Sequence, residues 1–366
     1  MARIWYSIQG DGMGHALRSN IIMQDLKKNH QLMITTTTKK TYDFLKKKYG
    51  SRVHLIKGDE FVYKKNSVLV AKSIKNFFMN LPSKSKSNMA KLSKLILDFQ
   101  PNIIINDFEP AAHYAAILLR IPCISVDNVH VITECNISKP EDSKLQLTSV
   151  RTLIKVLHPT STYYVITTFA NVKPKNKKTF LVKPVIRKEI LNLKPKEKDF
   201  VLVYQTTSTN KKMLKILEKT KNKHIIYGFK GEKNRKNLVF KQFSEKGFLE
   251  DLKNCKYVIV NGGFTVISEA IYLKKPILAI PIYNQFEQEF NAFTIRNRGF
   301  GDYTKNLEEF DMEGFELRLP FFKHKLKNYG VWDNSELLKR IEILINKGKI
   351  KKPRYELLRS IVPKRW

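Results

Sequence analysis

Residues 2–9, ARIWYSIQ, form an apolar run that ends in a glycine loop, and a helical stretch follows from about His15 to Lys28. That order, strand then helix, recurs along the whole chain and limits the folds open to it. QLMITTT (31–37) precedes a helix over about 40–49, and NIIIND (102–107) precedes one over about 110–120. CISVDN (123–128) and YYVITTF (163–169) are further strands, separated by helical or irregular sequence over 136–160. Runs without polar alternation suit strands buried on both faces, and strand–helix alternation builds a parallel sheet covered by helices. A second series comprises VLVYQ (201–205), HIIYGF (224–229), NLVFKQF (237–243), YVIVNG (257–262) and PILAIPI (276–282). NLKPKEK (192–198) lies between the series, and its proline and charge mark the domain join. The expectation is an α/β protein of two Rossmann-like sheets.

A chain of 366 residues can bury two such cores, and its 42% apolar content excludes a disordered polymer. The most apolar stretch, Ala111 to Val126, is interrupted by His113, Arg120 and Pro122 and cannot span a bilayer. The amino terminus lacks a signal-peptide pattern, and Cys123, Cys135 and Cys255 have no paired spacing. These features fit a reduced, cytoplasmic protein. The formal net charge is +34, yet Arg supplies only 14 of the 67 basic residues and the lysines are spread throughout. A nucleic-acid reader concentrates Arg among aromatics, so charge alone gives that reading little support. An anionic membrane surface, or simply a lysine-rich source, accounts for it as well.

Residues 63–99 read as helix, loop, helix. Lys64, Lys65, Lys72, Lys75, Lys84, Lys86 and Lys91 surround Phe77, Phe78, Met79 and Leu81. An apolar patch ringed by lysines suits a lipid headgroup surface, although the aromatics could equally be core and the lysines a solvated face.

The opening loop IQGDGMGHALRS (8–19) places glycines at 10, 12 and 14 before His15 and Arg18. A dinucleotide fingerprint needs glycine at 15 and an acid after the second strand, where Thr36, Thr37 and Thr38 stand instead. No Gly-Lys-Ser/Thr follows, so a P-loop is excluded. What remains is a strand-to-helix turn with free amides, suited to an anion or a reacting hydroxyl. In the second half, Gly262 and Gly263 end a strand and Thr265 opens a helix whose amides could cradle a diphosphate. Glu269 lies one turn on, within reach of a ribose diol. Gln285, Glu287 and Gln288 lead to Asn291-Ala292 and could read sugar hydroxyls.

In that order and spacing, residues 260–292 resemble the donor-binding segment of GT-B glycosyltransferases of the family 1 and family 28 type. GMGHALRS (12–19), NDFEP (106–110) and DNVH (127–130) resemble an uncharacterised archaeal and bacterial branch of them. The resemblance implies a GT-B fold with an acceptor-side domain over 1–187, a nucleotide-sugar domain over 188–345, and a carboxyl-terminal helix over 346–366 packing back on the first. It implies that Gly262, Gly263 and Thr265 face the donor diphosphate, Glu269 the ribose, and Gln285, Glu287 and Gln288 the sugar. VKPVIRKEI (182–190) would bring Arg187 to the interdomain phosphate, with Lys183 where glycine is usual. Thr206, in YQTTSTN, would add a hydroxyl donor. Gly12, Gly14 and Arg18 would hold the acceptor.

Displacement at an anomeric carbon needs a base for the acceptor hydroxyl and positive charge or helix dipoles for the leaving group. His15, Asp107 and Glu109 are the candidate bases. His15 is preferred for its intrinsic pKa range, and Asp107 has a competing reading as the cap of EPAAHYAAILL. No Asp-x-Asp motif is present, so no metal and no separate cofactor is expected. The leading expectation is an inverting transferase moving a sugar from a UDP-linked donor to a lipid, lipid-linked or glycan acceptor, peripheral on the inner membrane face. A sugar-nucleotide 2-epimerase of the same fold and a basic nucleic-acid-binding protein are the alternatives.

Overall fold

The computed structural model describes residues 1–10, 12–56, 63–64, 67–68, 90–138, 144–205, 211–229, 231–348 and 353–359. Its first half is a seven-stranded sheet of β1 (Arg3–Ile8), β2 (Gln31–Thr36), β3 (Val53–Leu55), β6 (Ile103–Asp107), β7 (Cys123–Asp127), β9 (Tyr163–Thr167) and β11 (Thr179–Val182). Two antiparallel pairs of two-residue strands stand apart, β4 (Tyr63–Lys64) with β5 (Ser67–Val68) and β8 (Cys135–Asn136) with β10 (Lys173–Pro174). The second half is a six-stranded sheet of β12 (Val201–Tyr204), β13 (His224–Tyr227), β14 (Leu238–Phe240), β15 (Val258–Val260), β16 (Ile277–Ala279) and β17 (Gly301–Tyr303). Strand order is β11-β9-β7-β6-β1-β2-β3 in the first and β14-β13-β12-β15-β16-β17 in the second, with every neighbour parallel.

These orders reverse direction between β1 and β6 and between β12 and β15. Crossover helices diverge to opposite faces at those points and leave a crevice beyond the strand ends, where ligands of open α/β sheets bind. The glycine loop, Asp107 and Gly262 all fall there.

Strands β3, β11 and β17 were not anticipated. β3 and β17 are three residues each, too short to carry a period, and β11 is a four-residue strand inside the expected first domain, shortly before the join. Tyr63–Lys64 pairs antiparallel with Ser67–Val68, where the start of a helix was expected. The second expected helix is present over 90–99, whereas most of the lysine-ringed segment between lies outside the described residues.

The last long helix, Ser335–Gly348, buries Leu337, Ile341, Leu344 and Ile345 beside Tyr6, Ile34 and Ile103 of the first sheet. The boundary expected at 345 therefore cuts through a helix that belongs as a whole to the first core. Its apolar stripe recurs every three to four residues and has only that sheet to cover it. Farther on, Leu358 packs with Trp5 and Ile104, and the Arg354 amide donates to the Leu119 carbonyl at 2.8 Å. No helix among the described residues is long and apolar enough to cross a membrane.

Candidate functional site

The helix Met13–Leu26 begins at Gly12, whose φ of 83° is a left-handed value that side chains resist. Gly14 marks a close approach: a Cβ there would come 2.8 Å from the Thr265 Oγ1 of the second half. The loop thus brings Gly14 up against Thr265 of the other domain, with His15 next in the chain.

Asp107 ends β6 with its carboxylate fully buried. Its Oδ2 accepts from Arg18 Nε and from Ser19 Oγ, each at 2.8 Å, while Oδ1 meets Arg18 Nη2 and lies 2.8 Å from His15 Nδ1. Burial pushes the Asp107 pKa up, but the Arg18 and His15 charges and hydrogen bonds overcome it and hold the carboxyl below its usual range. His15 Nδ1 lies 2.8 Å both from Asp107 Oδ1, which only accepts, and from Arg18 Nη2, which only donates; in the tautomer that donates to Asp107, the lone pair falls on Nε2 of a ring that is 19% exposed. Asp107 orients the ring and has no open face of its own. Its place as a candidate base passes to His15.

Phe108, the next residue, adopts φ 54°, uncommon for a bulky side chain. This bend turns Glu109 away from the cleft to cap the helix Pro110–Leu119, accepting from Ala111 N at 3.0 Å and Ala112 N at 2.9 Å and from Ser7 Oγ at 2.9 Å. The cap expected of Asp107 is made by Glu109, which is buried and is not a base. Arg18 is also buried. Its guanidinium is taken up by Asp107, by the Asn128 side-chain Oδ1 and by contact with His15 Nδ1, so it does not face an acceptor.

Across the cleft, the helix Phe264–Tyr272 starts at Gly263 without a side-chain cap, and a Cβ on Gly263 would meet nothing within 4 Å. Amides left uncapped beside open space are available to an anion. Gly262 has no such space, because a Cβ there would lie 2.3 Å from the Gln288 carbonyl. Gln288 is buried, and its Oε1 accepts from Gly262 N and Ile282 N, both at 3.1 Å. It shapes the loop rather than facing a sugar. Asn291 Nδ2 adds a bond to Gly262 O at 2.9 Å.

Arg187 and Glu269 were expected on different parts of the donor, and the structure pairs them. Arg187 Nε and Nη2 reach the two Glu269 oxygens at 2.7 and 2.9 Å, and Nη1 reaches Glu245 at 2.6 Å. Burial pushes the Glu269 carboxyl pKa up while Arg187 pulls it down, with burial prevailing. A ribose would therefore meet a buried carboxylate whose two oxygens each already accept one guanidinium bond. Gln285 starts the helix Phe286–Arg298 with a buried Oε1 that lacks a partner, and Glu287 receives Asn128 Nδ2 at 2.7 Å. Thr206 lies outside the described residues.

Sequence reasoning assigned no role to Asn128 or Ser19. Asn128 follows the carboxyl end of β7, and that position was the available signal. Ser19 sits one helical turn after His15, on the same face.

Both halves thus converge on one cleft, and the comparisons agree on what such a cleft does. The family model described as glycosyl transferase family 1 matches residues 2–320. The chain belongs to this family. An uncharacterized glycosyltransferase of Methanosarcina acetivorans is 25% identical over 328 residues, covering 82% of this chain and 84% of that protein. One from Methanopyrus kandleri is 40% identical over 53 residues, 14% of this chain and 15% of its own. Among solved structures, Phytolacca americana UGT2 complexed with UDP-2fluoro-glucose and pterostilbene has a TM-score of 0.66 at 13% identity, covering 94% of this chain and 99% of its own. Acinetobacter baumannii MurG has a TM-score of 0.58 at 14% identity with the same coverage. The fold is GT-B and the protein is a glycosyltransferase. In this family member the glycine-loop helix and the uncapped second-half helix approach each other at Gly14 and Thr265.

Proposed function

We propose that the protein is an inverting glycosyltransferase that moves a sugar from UDP-sugar to a lipid, lipid-linked or glycan acceptor. One observation carries the reading: the loop bearing the Asp107-oriented His15 abuts the uncapped helix start at Gly263–Thr265. His15 Nε2 takes the proton of the acceptor hydroxyl as its oxygen bonds to the anomeric carbon. The bond to the nucleoside diphosphate breaks on the opposite face, and the configuration inverts. The helix amides and Thr265 receive the departing charge, so this reading needs no metal. Glu269 exchanges part of its Arg187 pairing for the ribose hydroxyls, and the freed guanidinium edge turns to phosphate. Gln285 and Glu287 bind the transferred sugar. A lipid or lipid-linked acceptor is supported by the lysine excess, and places the protein peripherally on an anionic cytoplasmic membrane face.

Thermal unfolding against UDP, GDP, ADP, CDP and dTDP, each free and sugar-linked, tests the donor. A ligand at about a hundred times its Kd stabilises by about 2.7 kcal/mol. UDP and one UDP-sugar are expected to raise Tm by several degrees. A panel in which no nucleotide shifts Tm overturns the reading.

A further inference from the structure

Asn128 stands between two residues from opposite halves of the molecule, and it is 4% exposed. Its carbonyl oxygen accepts from Arg18 Nη1, and its Nδ2 donates to Glu287 Oε1 at 2.7 Å. Arg18 can only donate and an ionised Glu287 can only accept, so these neighbours fix which way the amide points. Arg18 Nε and Nη2 grip Asp107, and both Arg18 Nη2 and Asp107 Oδ1 lie 2.8 Å from His15 Nδ1. One unbroken series of polar contacts therefore runs from the His15 ring to the first turn of the helix Phe286–Arg298. Burial works against the Arg18 charge, but Asp107 above all, then Asp127 and Glu287, overcome it and hold the guanidinium pKa above its usual value.

We propose that Asn128 is a positioning residue that latches the two halves together and holds the His15–Asp107 pair in register when the second half is seated. The reason is the two-ended chemistry of an amide. Aspartate in its place would still accept from Arg18 but would set a second carboxylate against Glu287. Alanine would leave one Arg18 donor buried and unpaired. When the helix Phe286–Arg298 moves away, Asn128 loses one of its two fixed partners and Arg18 loses the support that keeps its fork square on Asp107. Glu287 keeps its second oxygen for other contacts, so the latch and a ligand can share it. The effect on turnover rests on the proposed role of His15; the latch itself does not.

The test uses the full chain and no substrate. Spin labels at Lys47→Cys and Lys246→Cys, exposed positions in the first and second halves, report the distance between them. The natural Cys123, Cys135 and Cys255 are buried. The parent is expected to give one narrow distance distribution. Asn128→Asp should lengthen and broaden it, and adding Glu287→Gln should restore it, because the new amide can donate where the carboxylate could not. The NMR titration midpoint of His15 should move in Asn128→Asp and return in the double variant. An unchanged distribution in Asn128→Asp, or no recovery on adding Glu287→Gln, overturns the latch. An unmoved His15 midpoint overturns its link to the pair. A failed nucleotide panel would leave these results standing, and failure here would leave glycosyl transfer standing.

Discussion

At the scale of single residues, the site separates carboxylates that look alike in NDFEP. Asp107 and Glu109 are two positions apart, and the left-handed Phe108 between them sends one to His15 and the other to a helix start. Their substitutions should differ in kind. Asp107→Asn keeps the shape but loses the charge that pairs with Arg18 and His15, and turnover with a donor found by the panel should fall a hundredfold or more. Glu109→Ala removes a cap, costing about 1–2 kcal/mol of stability, and the surviving folded enzyme should keep its kcat within a few-fold. Steady-state kinetics and urea unfolding on the two variants check this. If Glu109→Ala lost turnover like Asp107→Asn, the division of roles would fail. Whether His15, Asp107 or Glu109 served as base was open in the sequence because all three end strands or open helices near one loop. Burial and partners separate them.

At the scale of elements, the helix Pro110–Leu119 and strand β7 enclose histidines that no catalytic step uses. His113 bonds Ser125 Oγ through Nε2 at 3.2 Å, and the His158 ring stacks on Phe108 at 3.9 Å. Burial pushes His113 down to about 3, His158 well below its ordinary value, and His224 of β13 down to about 4. Their folded-state values lie below the unfolded value of about 6.5, so the unfolded chain takes up protons first as pH falls. The stability they allow is whole above about pH 6.5 and is lost progressively toward pH 3–4. Each proton taken up on unfolding adds about 1.4 kcal/mol per pH unit to the slope. Urea unfolding between pH 4 and 6 should show this slope, and His224→Gln should lower it by about one proton. A slope unchanged by His224→Gln would remove that histidine from the account. His113, His158 and His224 are ordinary letters in the sequence, and only enclosure by neighbouring elements makes them acid-sensitive.

At the scale of the whole molecule, the net charge of +34 acts together with the cleft. Each lysine near an anionic bilayer contributes on the order of 1 kcal/mol, screened within a Debye length of about 10 Å at 0.1 M salt. If the acceptor is membrane-borne, the protein should float with anionic vesicles at low salt and be released at high salt. Absence from the floated fraction at low salt would favour a soluble acceptor.

The local pattern of the sequence determined that the chain forms two parallel α/β sheets, because fully apolar strands alternating with helices have few other ways to bury both faces. It also marked the glycine loop and the Gly262–Thr265 turn, since both sit where strands meet helices. Tertiary structure decided the rest. The pairing of Arg187 with Glu269, the capture of Arg18 by Asp107 and the inward turn of Gln288 each join residues 6 to 89 positions apart. A side chain's role there depends on which partner reaches it first, and chain order carries no record of that. The return of Ser335–Gly348 to the first sheet was settled in the same way: its apolar stripe shows that it must be covered, and the packed molecule decides by what.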